Sequence, residues 1–140
     1  MASYTHLLDT SALLAHYFDE EGAEEVDAIW QDPANKPVIC VLSIAELRTR
    51  LLAEVSSVEE VERVYDLYVN ELTASVPVDR TVAEEASRLR ESTQRRLPLV
   101  DACIAGCAKL HGCLLVHRDP HMDQLPKSAV LQMRLPDRNR

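Results

Sequence analysis

Short apolar runs alternate with longer amphipathic stretches along this chain of 140 residues. Unbroken apolar runs suit strands of a parallel sheet covered on both faces, whereas apolar residues spaced three or four apart indicate helices. The pattern predicts strands at residues 5–9, 38–42, 75–78, 113–117 and, at the sheet edge, 129–135. It predicts helices after residue 10, at 21–31, from residue 43, and at 58–72, 81–95 and 99–110. We therefore expect one three-layer α/β domain over residues 1–140, with its core at about 5–135 and a central, mostly parallel sheet flanked by helices.

Four acidic residues lie where an apolar run ends or a helix begins. They are Asp9, Glu46, Asp101 and Asp119. In an open parallel sheet the carboxyl ends of the strands and the starts of the following helices line one edge, where ligands bind. Carboxylates gathered there repel one another unless they share protons or a cation. Because oxygen ligands suit Mg²⁺ and Mn²⁺, the pattern predicts a metal-dependent hydrolytic centre.

Each of these acids also has a purely structural interpretation. Ser43 and Glu46 have the spacing of a capping box, and for Glu46 alone this interpretation is the favoured one. Asp9 could cap the next helix, although the two hydroxyl residues after it could do so as well. Asp101 would favour the dipole of its helix, and Asp119 precedes a proline, a common turn arrangement. Four such coincidences at one sheet edge are harder to accept than any one of them.

Composition and charge narrow the possible partners. The net charge of −8 argues against tight, non-specific binding to long nucleic-acid duplexes, which a basic surface usually drives. Seven acidic residues and no basic one lie within residues 19–32, most simply as a solvated helical face. No apolar run approaches the roughly 20 residues of a membrane span, and the first residues lack the features of a secretory signal. We expect a cytoplasmic protein, in which the four cysteines serve as small core residues.

Four segments together resemble a known family. They are residues 8–13 (LDTSAL), 43–47 (SIAEL), 97–105 (LPLVDACIA) and 115–122 (LVHRDPHM). Their order and spacing resemble a PIN domain and, more narrowly, the VapC-like ribonuclease toxins of toxin–antitoxin pairs. The resemblance covers nearly the whole chain, from residue 8 to about residue 125.

The resemblance implies an Mg²⁺- or Mn²⁺-dependent endoribonuclease that is the toxin of such a pair. It implies that the four acids are catalytic residues and metal ligands, with Asp123 as a further metal ligand. Thr10 and Ser11 match the small polar positions beside the first acid, where they would face the substrate. Arg118 suits the polar or basic position before the last acid. His117 departs mildly from the Thr or Ser expected at its position.

Arginines close to the acids in sequence are the candidates for binding RNA. Arg48 and Arg118 are the favoured ones, whereas Arg95 and Arg96 could equally form ordinary helix pairs, as at the four-residue spacing of Glu91 and Arg95. Single-stranded or loop RNA is a better substrate than duplex, because it exposes backbone and bases. Of the five histidines, His121 is expected nearest the site.

A protein partner is the remaining expectation. An acidic pocket is a receptor for an arginine or lysine, so a cognate antitoxin could insert one and displace the metal. Between residues 43 and 72, four apolar residues are in excess of one inner helical stripe: Leu52, Val64, Leu67 and Val69. They predict a groove for a partner helix or a homodimer face, unless the protein's own core buries them. The alternative to the enzyme is a non-catalytic PIN-like module that binds RNA or a protein, although such a module has no need of four repelling carboxylates.

Overall fold

A computed structural model describes residues 3–138 of the protein. Its strands are β1 (His6–Leu8), β2 (Pro37–Cys40), β3 (Ala74–Val76), β4 (Leu114–His117) and β5 (Gln132–Arg134). Its helices are α1 (Thr10–Tyr17), α2 (Ala23–Gln31), α3 (Val41–Glu54), α4 (Val58–Tyr65), α5 (Arg80–Glu91) and α6 (Leu99–Leu110). A π-helical stretch, Asp66–Glu71, follows α4, and a 3₁₀ turn, Pro120–Gln124, follows β4.

The five strands form one sheet in the order β3-β2-β1-β4-β5, and all four pairings are parallel. The predicted parallel sheet is therefore confirmed. From the central strand β1 the sheet extends to β2 on one side and to β4 on the other. A crevice opens outside the carboxyl ends of the strands at such a reversal of direction, because the connections on its two sides leave opposite faces of the sheet.

Helices cover both faces of the sheet, and a separate apolar core lies under each layer. Ile104 of α6 and Leu89 of α5 belong to the core on one face. Leu13 of α1, Leu47 of α3 and Val64 of α4 belong to the core on the other. Full burial of each such side chain contributes about 1.5–3 kcal/mol, which favours the predicted three-layer arrangement. No helix within residues 3–138 is long and apolar enough to span a membrane.

Helix α3 begins two residues earlier than predicted. The strand before it ends at Cys40, whose backbone is still extended, and the helix starts at Val41. Ser43 is consequently inside the helix, fully buried, and its hydroxyl has no hydrogen-bond partner in the described part of the chain. The capping-box interpretation of Glu46 is therefore wrong, because Ser43 is not the capping residue.

Helix α5 is shorter than predicted. It ends at Glu91, where the Ser92 hydroxyl donates to the carbonyl of Leu89 at 2.7 Å. Side chains that bind the last carbonyls of a helix compete with its continuation. Arg95 and Arg96 therefore lie in the loop before α6, so the helical pair of Glu91 and Arg95, one of the two alternatives for these arginines, does not form.

The apolar surplus between residues 43 and 72 is mostly core. Val64 and Val69 are buried, and Leu67 packs partly buried against the same cluster. Of the four residues, Leu52 is exposed, and Val58 at the start of α4 is a second exposed apolar side chain on this hairpin. The prediction that all four residues line an exposed groove is therefore wrong, because only Leu52 of the four is exposed.

Candidate metal centre

Asp9 lies directly after β1, at the centre of the sheet edge. Its backbone N–H donates to the carbonyl of Val116 on β4 at 2.9 Å, which fixes its position. Its carboxylate caps α1 by accepting from the N–H of Ser11 at 3.2 Å and from the Ser11 hydroxyl at 2.6 Å. Ser11 in turn accepts the N–H of Arg118 at 2.9 Å, so β1, α1 and the end of β4 are joined at this point. Asp9 is thus both a helix cap and a member of the cluster.

Glu46 reaches the same edge from the second turn of α3. Its Oε1 accepts a hydrogen bond from the Thr10 hydroxyl at 2.8 Å, across 36 residues of sequence. Thr10 is buried and begins α1. The bond holds the Glu46 carboxylate beside Asp9 while leaving its second oxygen available to a ligand.

Asp101, Asp119 and His121 complete the cluster from the other side. Asp101 lies in the first turn of α6, and Asp119 caps the 3₁₀ turn by accepting the N–H of His121 at 2.9 Å. The His121 Nδ1 lies 3.0 Å from Asp119 Oδ1 and 3.7 Å from Asp101 Oδ2. One ligand atom from each of the three residues lies within 4.8 Å of the others, a spacing that one metal ion can bridge.

The four acids line one open pocket of about 420 Å³. The other residues of its wall are Thr10, Ser11, Leu14, Ala45, Thr49 and Arg50. A pocket of this volume accommodates a small ligand or part of a polymer.

Burial and the neighbouring negative charges disfavour the charged forms of Asp9 and Asp101. Asp9 is only 3% exposed, and its burial raises its pKa to about 6, against the opposing hydrogen bonds from Ser11. Burial, followed by the charges of Asp119 and Asp9, raises the pKa of Asp101 well above its ordinary range. A bound cation would offset this repulsion, and a set of carboxylate oxygens with one imidazole fits a divalent ion such as Mg²⁺ or Mn²⁺.

The PIN domain family matches residues 6–128, which include the whole cluster. The chain belongs to the PIN-domain family. A comparison with curated proteins found no match.

Solved structures from several organisms share the fold of this PIN domain. VapBC2 from Rickettsia felis, bound to a DNA fragment from its promoter, matches with a TM-score of 0.75 at 14% identity, over 94% of this chain and 99% of that one. FitAcB from Neisseria gonorrhoeae matches with a TM-score of 0.68 at 21% identity, over 93% and 97%. VapBC-5 from Mycobacterium tuberculosis matches with a TM-score of 0.65 at 25% identity, over 93% and 98%. The chain thus shares the fold of these proteins over almost its full length, and VapBC-5 is a member of the VapBC family of toxin–antitoxin systems.

Five candidate residues of this PIN domain, four arginines and one aspartate, lie outside the wall of the acidic pocket. Arg48 forms an ion pair with Glu62, and its guanidinium lies 5.4 Å from the ring centre of Tyr65, towards α4. Arg118 is only 9% exposed and is bound to Glu20 at 2.6 Å. Asp123 is engaged by Arg134 at 3.0 Å, a contact made possible because β5 returns beside β4. Arg95 and Arg96 line a different pocket, between α5 and α6.

Two residues of the site were not anticipated in their present places. Arg50 lines the pocket one helical turn after Glu46, and the spacing of four was the available signal, since such residues share a helix face. His117 is fully buried; its Nδ1 accepts the N–H of Asp119 at 3.0 Å, so its Nε2–H donates to Gln132 at 2.8 Å. Burial lowers its pKa, which keeps it neutral in this role. His121 lies beside the acids, as predicted.

Proposed function

We propose that this protein is an Mg²⁺- or Mn²⁺-dependent endoribonuclease and the toxin of a toxin–antitoxin pair. The observation that supports this best is the convergence of four carboxylates in one pocket, where burial raises the pKa of Asp9 and Asp101. Membership of the PIN-domain family adds the nuclease class to that chemistry.

Some residues of the site would bind the ion, and others would hold the carboxylates in position. Asp9, Asp101 and Asp119 would hold the ion, with Glu46 completing its shell or orienting a water through the oxygen that Thr10 leaves free. A bound divalent ion supplies positive charge that acidifies water and offsets the charge developing on the phosphate. Ser11 fixes the Asp9 carboxylate, His117 fixes the backbone of Asp119, and the N–H of His121 binds the Asp119 carboxylate, so both carboxylates are held before substrate arrives.

His121 extends the oxygen set with one imidazole nitrogen. The resemblance implies that Asp123 is a further metal ligand. Because Arg134 already binds its carboxylate, we propose that Asp123 does not bind the ion directly. Imidazole binds transition ions more readily than it binds Mg²⁺, and a site that contains His121 would therefore accept Mn²⁺ well.

RNA is the proposed substrate, in single-stranded or loop form. A chain with a net charge of −8 has no broad basic surface, so contact with the phosphate chain would be confined to the region of the ion and the few arginines around it. Such a short contact suits exposed strands rather than long duplexes.

An antitoxin is the proposed protein partner. VapBC-5 is described as a member of a toxin–antitoxin family, and a further neighbour, from Klebsiella pneumoniae, is a toxin–antitoxin complex. An arginine of the partner entering the acidic pocket would pair with the carboxylates and exclude the ion. The expected homodimer stays a prediction, with Leu52 and Val58 as its exposed apolar residues, and so does the cytoplasmic location.

Cleavage of structured RNA by the purified protein, with Mg²⁺ or Mn²⁺ and with EDTA, tests the activity. The key variant is Asp9→Asn, and a matched control is Asp79→Asn, which changes a helix-capping aspartate outside the site. We expect cutting that requires the metal, is abolished by Asp9→Asn and survives Asp79→Asn. Expression of the wild type, but not of Asp9→Asn, should arrest the growth of a bacterial host.

Two outcomes would contradict the proposal. Cutting that survives Asp9→Asn would come from a contaminant or from another site. Absence of cutting together with absence of Mg²⁺ and Mn²⁺ binding would leave a PIN-like module that binds RNA or a protein without cleaving.

A further inference from the structure

Arg50 has a position that no other basic side chain of the described chain shares. It is the one arginine or lysine among residues 3–138 that lines the acidic pocket. It also lines a smaller pocket of about 200 Å³ beside it, and Ser11 and Leu14 are likewise common to both walls. Arg50 therefore stands at the boundary between the two pockets.

The smaller pocket is lined by arginines that are not equally available. Arg118 and Arg138 both bind Glu20, at 2.6 Å and 2.7 Å, and Arg118 is nearly buried. Arg50 instead pairs with Glu54 at 2.7 Å, four residues later on the same helix. The side chains of that pair are 51% and 35% exposed, and exposed pairs of this kind are weak. A phosphate can therefore take Arg50 from Glu54 more easily than it can take Arg118 from Glu20.

We propose that Arg50 binds the RNA phosphate next to the one being cleaved, at the point where the strand passes from the acidic pocket into the smaller one. This inference rests on the proposed ribonuclease function. The planar guanidinium can donate two parallel hydrogen bonds to phosphate oxygens, a geometry that a lysine does not reproduce. Arg50 thus takes the substrate-binding role that sequence proximity gave to Arg48, whose guanidinium lies towards α4 and lines neither pocket.

Glu54 is then a competitor of the substrate. Removing its charge should release Arg50 and tighten RNA binding, whereas removing Arg50 should weaken it. These opposite effects separate a phosphate contact from a stabilising helix pair, because a purely structural pair loses function, if anything, when either partner is changed.

Binding of a fluorescein-labelled single-stranded RNA to the full-length Asp9→Asn protein, followed by fluorescence anisotropy with Mg²⁺, tests the proposal without cleavage. Added to that background, Arg50→Ala should raise Kd roughly tenfold, and Arg50→Lys should restore part of the loss. The plot of log association constant against log salt concentration has a negative slope. Arg50→Ala should make that slope shallower by about 0.7, as for one lost phosphate contact with a single strand. Glu54→Gln should lower Kd about twofold, but not when Arg50→Ala is also present.

The pair Arg80 and Glu84 provides matched controls, since it has the same spacing and lies on α5, outside both pockets. Arg80→Ala and Glu84→Gln should leave Kd and the salt slope unchanged, and thermal melting should show that all variants fold. Equal effects of Arg50→Ala and Arg80→Ala, or a gain from Glu54→Gln that persists without Arg50, would overturn the inference alone. A wild type that neither cuts nor binds RNA would overturn the proposed function and this inference with it.

Discussion

Removal of one negative charge from the metal-free site should stabilise the protein while abolishing its activity. Asp9→Asn is the most informative change, because asparagine has nearly the same shape and caps helices as well as aspartate does. The substitution therefore keeps the cap of α1 and removes the charge that burial disfavours. Most substitutions at a buried hydrogen-bonded residue are destabilising. A gain in stability from Asp9→Asn would therefore indicate that the buried charge of Asp9 costs folding free energy.

The magnitude follows from the pKa of Asp9, which rises from 3.8 to about 6 in the folded protein. Because the pKa of Asp9 is higher in the folded protein, the unfolded chain releases this proton at a lower pH than the folded protein does. Stability is consequently lost as the pH rises from about 4 through about 6, and the loss stays constant at higher pH. The difference between the two pKa values corresponds to about 3 kcal/mol, or about 10 °C in Tm for a domain of this size.

Urea denaturation at pH 4 and pH 8 in EDTA measures this effect. We expect Asp9→Asn to exceed the wild type by up to about 3 kcal/mol in unfolding free energy at pH 8, and by much less at pH 4. Saturating Mg²⁺ should reduce the difference at pH 8, because the ion stabilises the wild type more. Asp79→Asn, at the exposed cap of α5, should show no comparable gain. An Asp9→Asn variant no more stable than the wild type at pH 8 would refute the reasoning that burial and repulsion strain this site.

Two further changes test individual contacts of the site, and a third tests the unpaired hydroxyl of Ser43 in α3. Thr10→Val removes the donor to Glu46 and should lower kcat roughly tenfold, while unfolding free energy falls by about 1 kcal/mol; an unchanged kcat would show that Glu46 needs no orientation. His121→Ala should weaken Mn²⁺ binding more than Mg²⁺ binding in isothermal titration calorimetry, and equal losses would remove His121 from the ligand set. Ser43→Ala should raise unfolding free energy by about 1 kcal/mol at unchanged activity, because the buried hydroxyl has no partner among the described residues; a loss of stability would contradict this.

The parallel sheet was predictable because its strands are unbroken apolar runs between amphipathic helices. Once the strands are parallel, a residue that follows a strand lies at the carboxyl edge, so the shared location of Asp9 and Asp119 follows from the pattern. Glu46 was ambiguous. Its interpretation depends on whether the helix begins at Val41 or at Ser43, and that is set by where β2 leaves the sheet rather than by local capping preference.

The arginines show what sequence proximity leaves out. Arg48 and Arg50 are both close to Glu46 along the chain. Because an α-helix has 3.6 residues per turn, side chains two residues apart point to different faces of it. Arg50 shares the face of Glu46, whereas Arg48 points to α4. The pairing of Asp123 with Arg134 could not be foreseen either, because it depends on β5 lying beside β4.

The acidic cluster costs stability when empty, and this gives the proposed ion and the proposed partner the same driving force. Each would offset the same repulsion among Asp9, Asp101 and Asp119. Each gains more because Asp9 and Asp101 are already buried and Ser11 already holds the Asp9 carboxylate. Both cannot occupy one pocket of about 420 Å³ through the same oxygens. Binding of an antitoxin arginine and binding of metal should therefore be antagonistic, and thermodynamic linkage requires each to weaken the other by the same factor. Inhibition by this competition needs no change in the fold, because the same carboxylates bind either the metal or the arginine.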